Sequence, residues 1–143
     1  MNNAQSLGAW GEDVACWFLK KHGYTIVERN SRYPAGELDI LAWIPDPLSS
    51  GFFTFQKIIN SKKYFQSGTL ILVEVKTREV FSSDEVLPEL RVDYKRKQKL
   101  IQGAYHFLRQ HKMNDELFRI DVISVVLNRT KQSTKIRHIK SFE

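Results

Sequence analysis

The sequence predicts an α/β domain built on a mixed central sheet flanked by helices. Three observations carry this reading. The elements run helix, three strands, helix, two strands. One strand, Leu70–Lys76, is apolar at almost every position before Glu74, as expected of a strand covered on both faces. Two longer stretches keep helical rather than alternating periodicity.

Taken in order, Leu7 to His22 is a helix, with Ser6 as N-cap and Gly23 as its stop. Leu7, Trp10, Val14, Trp17, Phe18 and Lys21 follow its spacing. Tyr24–Arg29 is a short strand. Asn30–Gly36, which holds Pro34 and Gly36, is a turn, and Glu37–Ile44 is a second strand. Pro45–Gly68 opens on loop composition and continues through Phe52, Phe53 and Phe55. It is a peripheral insertion with some structure of its own. Leu70–Lys76 is the central strand, and Ser82–Leu90 a loop with local order. Asp93–Gln110 is the second helix, with Tyr94, Ile101, Ala104, Tyr105 and Leu108 on one face. Leu117–Leu127 is a β-branched strand and Lys135–Phe142 an edge strand.

The 143 residues have the length of one domain, so the expectation is a single unit over 1–143 with the insertion at about 45–68. No apolar run is long enough to span a membrane, and the N-terminus lacks a signal core. A single cysteine, Cys16, permits no internal disulfide and suits a reducing compartment. A cytoplasmic protein with no membrane partner is expected. The 22 basic and 16 acidic side chains give a net charge of +6, and the pI is about 9.5. Such a balance points to nucleic acid only where the charge surrounds a site.

The candidate site is acidic. In Leu72-Val73-Glu74-Val75-Lys76, Glu74 and Lys76 share one face of the strand. An apolar strand that ends on a carboxylate and an ammonium needs a reason, because buried charge must be paired or bind metal. Asp39, in Leu38-Asp39-Ile40-Leu41, comes beside Glu74 if the two strands pair antiparallel. Glu12 lies on the helix side of Gly8, Ala15 and Leu19, which flanks the apolar stripe. Converging carboxylates repel one another unless a cation is present. Hard oxygen donors without a His or Cys cluster suit magnesium or manganese. Such an ion activates water and neutralises a phosphodiester, and a neighbouring lysine orients the water or stabilises the transition state. The plain alternative is an ordinary ion pair between Glu74 and Lys76.

Five segments in this order resemble the YraN family: Gly8-Ala9-Trp10-Gly11-Glu12-Asp13-Val14-Ala15, Arg29-Asn30-Ser31-Arg32, Gly36-Glu37-Leu38-Asp39-Ile40, Val73-Glu74-Val75-Lys76-Thr77-Arg78 and Arg119-Ile120-Asp121-Val122. This bacterial family is related to archaeal Holliday junction resolvases within the PD-(D/E)XK nuclease group. The resemblance implies a restriction-endonuclease-like core. It implies that Asp39, Glu74 and the Val75 carbonyl hold the metal, that Lys76 is the catalytic lysine and that Glu12 acts from the first helix. Glu37, on the same strand face as Asp39, is a further acidic candidate. The chain departs from the family in the separation of 35 positions from Asp39 to Glu74, where the family usually has a tight turn. It also carries Arg96 where the family has a lysine.

Lys95, Arg96, Lys97 and Gln98, with Arg32 and Arg78, are the candidate nucleic-acid contacts. Helical geometry turns Lys97 and Gln98 toward the Tyr94–Ile101–Tyr105 side, and Arg96 and Lys99 toward solvent. His22, His106, His111 and His138 lack metal-ligand spacing and are non-catalytic. Trp10, Trp17 and Trp43 are core residues by pattern. Three functions follow: a magnesium- or manganese-dependent endonuclease acting on DNA, branched or damaged DNA included; a non-catalytic nucleic-acid-binding adaptor; and a protein-interaction domain using the aromatic insertion. DNA and a second copy of the chain, in a homodimer, are the expected partners.

Overall fold

Two amphipathic helices and a strand that is apolar on both faces can bury their surfaces together only if the sheet lies between the helices. The computed structural model describes residues 3–45, 68–81, 92–111 and 118–141, and takes this arrangement. The elements are α1 (Asn3–Lys21), β1 (Thr25–Tyr33), β2 (Gly36–Pro45), β3 (Gly68–Val80), α2 (Tyr94–Gln110), β4 (Phe118–Asn128) and β5 (Ser133–Ile139). The sequence readings within residues 46–67 and 82–91, including Phe52, Phe53 and Phe55, lie outside the described residues.

Among the described residues the sheet has five strands in the order β1-β2-β3-β4-β5. Neighbours are antiparallel except β3 and β4, which are parallel. A parallel pair needs a crossover, and α2 lies in the connection. The fold is therefore the mixed α/β sheet expected, consistent with a restriction-endonuclease-like domain.

Strand alternation divides the core. Leu41, Trp43, Leu70 and Leu72 pack under Leu100, Ala104, Phe107 and Leu108 of α2. Ile40, Ala42, Ile71 and Val73 pack under Ala15, Cys16 and Leu19 of α1. Leu70, Ile71, Leu72 and Val73 are all fully buried, which makes β3 the central strand. Each such side chain contributes about 1.5–3 kcal/mol of burial. At Gly11 the helix α1 lies so near β3 that a Cβ would overlap the Thr77 side chain.

Several local expectations change. The helix α1 begins at Asn3, so Ser6 lies inside it instead of capping it. The strand β1 runs through the expected turn to Tyr33, because pairing with β2 continues to Tyr33↔Gly36. Only Pro34 and Ala35 make the reversal, and Gly36 takes φ +139°. Pairing overrides the loop composition, and Asn30 accepts φ +49° inside the strand. Tyr94 and Tyr105 are exposed, so the buried stripe of α2 is narrower than expected. Trp43 is buried and Trp10 packs against the core, but Trp17 is 58% exposed and is no core residue. Pro45 and Gly68 are paired across β2 and β3, so residues 46–67 leave and re-enter the sheet at one place.

Candidate functional site

The β2–β3 ladder ends at Ile40↔Val73, and the next residue on each strand is Asp39 and Glu74. Strand order thus puts two carboxylates side by side where the two strands cease to pair. Asp39 Oδ2 accepts the Val75 N–H at 2.8 Å. Opposite Asp39 on β1 stands Asn30, between the paired Arg29↔Ile40 and Ser31↔Leu38. Alternation slips here, since Leu38 packs with Leu41 and Trp43 although it is three residues from one and five from the other.

The Glu74 side chain is only 7% exposed and carries two cations. Lys76 Nζ lies 3.1 Å from Oε1. Arg96 donates to Oε2 through Nε at 2.8 Å and Nη2 at 2.5 Å. The same Nη2 is 3.6 Å from Asp39 Oδ1, and Nη1 donates to the Glu37 carbonyl at 2.8 Å. Arg96 is therefore directed into the site and not toward solvent, contrary to the helical-wheel reading. Its place in the first turn of α2 explains this. Asp93 caps that turn by accepting the Arg96 N–H at 2.7 Å, and the turn stands over the end of the β2–β3 ladder. Lys99 is exposed as expected, while Lys97 and Gln98 are half-buried.

Burial pushes the Asp39 carboxyl up to about 6, and the neighbouring Glu74 charge adds to the rise. The Val75 N–H and Arg96 oppose it, and Glu12 adds a smaller increase through its charge. Glu12 comes from α1, on the other face of the sheet from α2, and is half-buried. Glu37 enters through its backbone carbonyl; its carboxylate is 3.9 Å from the exposed Arg32. Arg78 and Lys95 are exposed, Arg78 two residues beyond Lys76 and Lys95 next to Arg96.

Two hard carboxylates on neighbouring strands, with Val75 between Glu74 and Lys76, fit magnesium, which takes one or two carboxylates and keeps several waters. Among the described residues no group of three or more His, Cys, Asp or Glu side chains is placed to hold a metal ion, so the acidic donors here are these two carboxylates.

Sequence reasoning gave no role to a second charged centre. Asp121, opposite Val73 on β4, is fully buried on the α1 side. It accepts from Arg119 Nε and Nη2 at 2.7 and 2.8 Å and from the Ser141 N–H at 3.0 Å, and pairs with His138 Nε2 at 2.8 Å. Arg119 also donates to the Tyr24 hydroxyl at 3.1 Å. Burial alone would raise the Asp121 carboxyl, but these hydrogen bonds hold it below the ordinary range. His138 is thus a structural partner. The sequence signals for this centre are the family-like segment Arg119-Ile120-Asp121-Val122 and an acidic residue amid a β-branched strand.

Fold and site together define an α/β protein with an acidic centre at the open end of its two middle strands. Residues 11–125 match the family described as Uncharacterised protein family UPF0102. The chain is 33% identical over 138 residues to the UPF0102 protein of Desulforamulus reducens, which covers 96% of this chain and 94% of that one. It is 31% identical to the UPF0102 protein of Caldicellulosiruptor bescii, over 96% and 97% of the two chains. The UPF0102 protein of Clostridium acetobutylicum is 34% identical, over 94% and 90%. The chain belongs to UPF0102, the YraN family that its motifs resemble.

Proposed function

We propose that this protein is a metal-dependent endonuclease that hydrolyses DNA phosphodiester bonds, with branched or damaged DNA as its substrate class. One observation carries the reading: Asp39 and Glu74 converge on a single cationic nitrogen, Arg96 Nη2, at 3.6 and 2.5 Å. Carboxylates that share one cation are placed to share another. Asp39, Glu74 and the Val75 carbonyl would hold magnesium or manganese. When bound, such an ion supplies Lewis-acid activation of water and neutralises phosphodiester charge.

The protein's own residues do the rest. The Val75 N–H fixes the Asp39 carboxylate through Oδ2, and Oδ1 lies toward Arg96. Lys76 is anchored on Glu74 and 41% exposed, so its ammonium reaches the mouth of the site. There it orients an attacking water or stabilises charge developing on the phosphate. Glu12 adds negative charge from α1. Arg32, Arg78, Lys95, Lys97 and Gln98 form the rim that holds the backbone of the nucleic acid.

A second reading is favoured by Arg96 itself. Because it neutralises Glu74 without metal, the same fold would serve as a nucleic-acid-binding adaptor. One assay separates the two: purified protein with linear, single-stranded and four-way-junction DNA, in magnesium, manganese or EDTA. Metal-dependent cleavage that Asp39→Asn abolishes supports the enzyme. Binding with no cleavage in either metal supports the adaptor, and no binding at low salt eliminates both.

A further inference from the structure

Glu74 leaves little room for a metal as the site stands. Its Oε1 is taken by Lys76, and its Oε2 receives two hydrogen bonds from Arg96. Asp39 Oδ2 is taken by Val75. The remaining oxygen, Asp39 Oδ1, faces Arg96 Nη2. An ion held by both carboxylates would compete with that nitrogen for their oxygens. Two cations cannot share those oxygens, because at that separation and with this burial their repulsion is large.

We infer that Arg96 is the resident counter-ion of the Asp39–Glu74 pair, and that a divalent cation displaces it and frees its guanidinium for the substrate phosphate. The inference rests on the proposed metal site. Arg96 rather than Lys76 is the group that leaves. Lys76 contacts Oε1 of Glu74, whereas Arg96 Nη2 lies 2.5 Å from Glu74 Oε2 and 3.6 Å from Asp39 Oδ1, within reach of both carboxylates. The arginine backbone is pinned by the Asp93 cap, so the long side chain can swing without moving α2. Outside the pair, the remaining anchor is the Glu37 carbonyl, which accepts Nη1 and serves as a pivot. A freed guanidinium presents a planar fork suited to phosphate, beside the exposed Lys95.

The exchange makes metal and DNA binding mutually supportive, since the phosphate receives the group the metal expels and linkage is reciprocal. Manganese affinity is measured by the EPR signal of free Mn²⁺, for the wild type, Arg96→Gln and Arg96→Lys. Arg96→Gln is expected to bind manganese about tenfold more tightly, and Arg96→Lys less so, because a lysine retains the charge without the fork. If Arg96→Gln does not fold, the wild type answers alone. Magnesium is titrated while the NMR signals of the Arg96 Nε–H and the Val75 amide are followed. Movement of both signals supports displacement. Movement of Val75 with Arg96 unmoved, or equal manganese affinity in all three proteins, overturns displacement and leaves the metal site standing. No manganese binding in any protein and no movement of either signal overturns both.

Discussion

The Val75 N–H donates to Asp39 Oδ2 at 2.8 Å, one residue past the last paired positions of β2 and β3 on the Asp39 side and two on the other. A side chain thus takes up a backbone donor where the ladder ends, and the Asp39 carboxylate is fixed beside Glu74. Fixing it there is costly. The Asp39 pKa rises from the ordinary 3.8 to about 6, so the folded protein binds its proton more tightly than the unfolded chain. Between those values stability therefore falls as pH rises. Asp39→Asn should remove that fall. In urea unfolding without metal, it should be more stable than wild type at pH 7.5 by about 2 kcal/mol, and the gain should vanish near pH 4.

Gly11, next to Glu12 on α1, packs against Thr77 of β3. A methyl group there meets the Thr77 side chain. Gly11→Ala should cost about 1–3 kcal/mol, as overpacking does. Adding Thr77→Ala should recover part of the loss in the same thermal or urea titration, whereas Thr77→Ala alone should have a smaller effect.

Asp121 ties β4 to β5 and to Tyr24 through Arg119, His138 and Ser141. Replacing it by Asn removes the charge that Arg119 and His138 share, and leaves buried partners without it. Asp121→Asn should lower stability by about 3–5 kcal/mol. Because the Asp121 carboxyl is held below its ordinary range, its contribution in the wild type is complete above that range and is lost as pH falls below it. Acid unfolding of the wild type and of Asp121→Asn should therefore converge at low pH.

DNA affinity should rest on the exposed basic residues and not on the carboxylates. Arg78→Ala with Lys95→Ala should weaken binding on all sequences. The dependence of log affinity on log salt should flatten by roughly one for each phosphate that is no longer neutralised. An unchanged slope would place the DNA elsewhere on the surface.

Pro45 and Gly68 are paired neighbours, so residues 46–67 can be replaced by a short turn without separating β2 from β3. Loop length costs only about 0.6 kcal/mol per doubling. The shortened protein should unfold cooperatively; loss of cooperativity would show that Phe52, Phe53 and Phe55 belong to the main core.

The sequence by itself determined the order of elements, the centrality of β3 and the shared face of Glu74 and Lys76. Each follows from short-range periodicity: alternation put Glu74 and Lys76 on one face, and an unbroken apolar run marked the strand with both faces covered. Motif order also led to the family. Only the tertiary structure decided the direction of Arg96, the carbonyl role of Glu37, the extension of β1 through Asn30 and the Asp121 network. These depend on which element stands opposite. A helical wheel gives the azimuth of Arg96 around α2, but not that the first turn of α2 lies above the end of the β2–β3 ladder. Once it does, a long cationic side chain and two largely desolvated carboxylates find one another, because charge removed from water must be met by opposite charge.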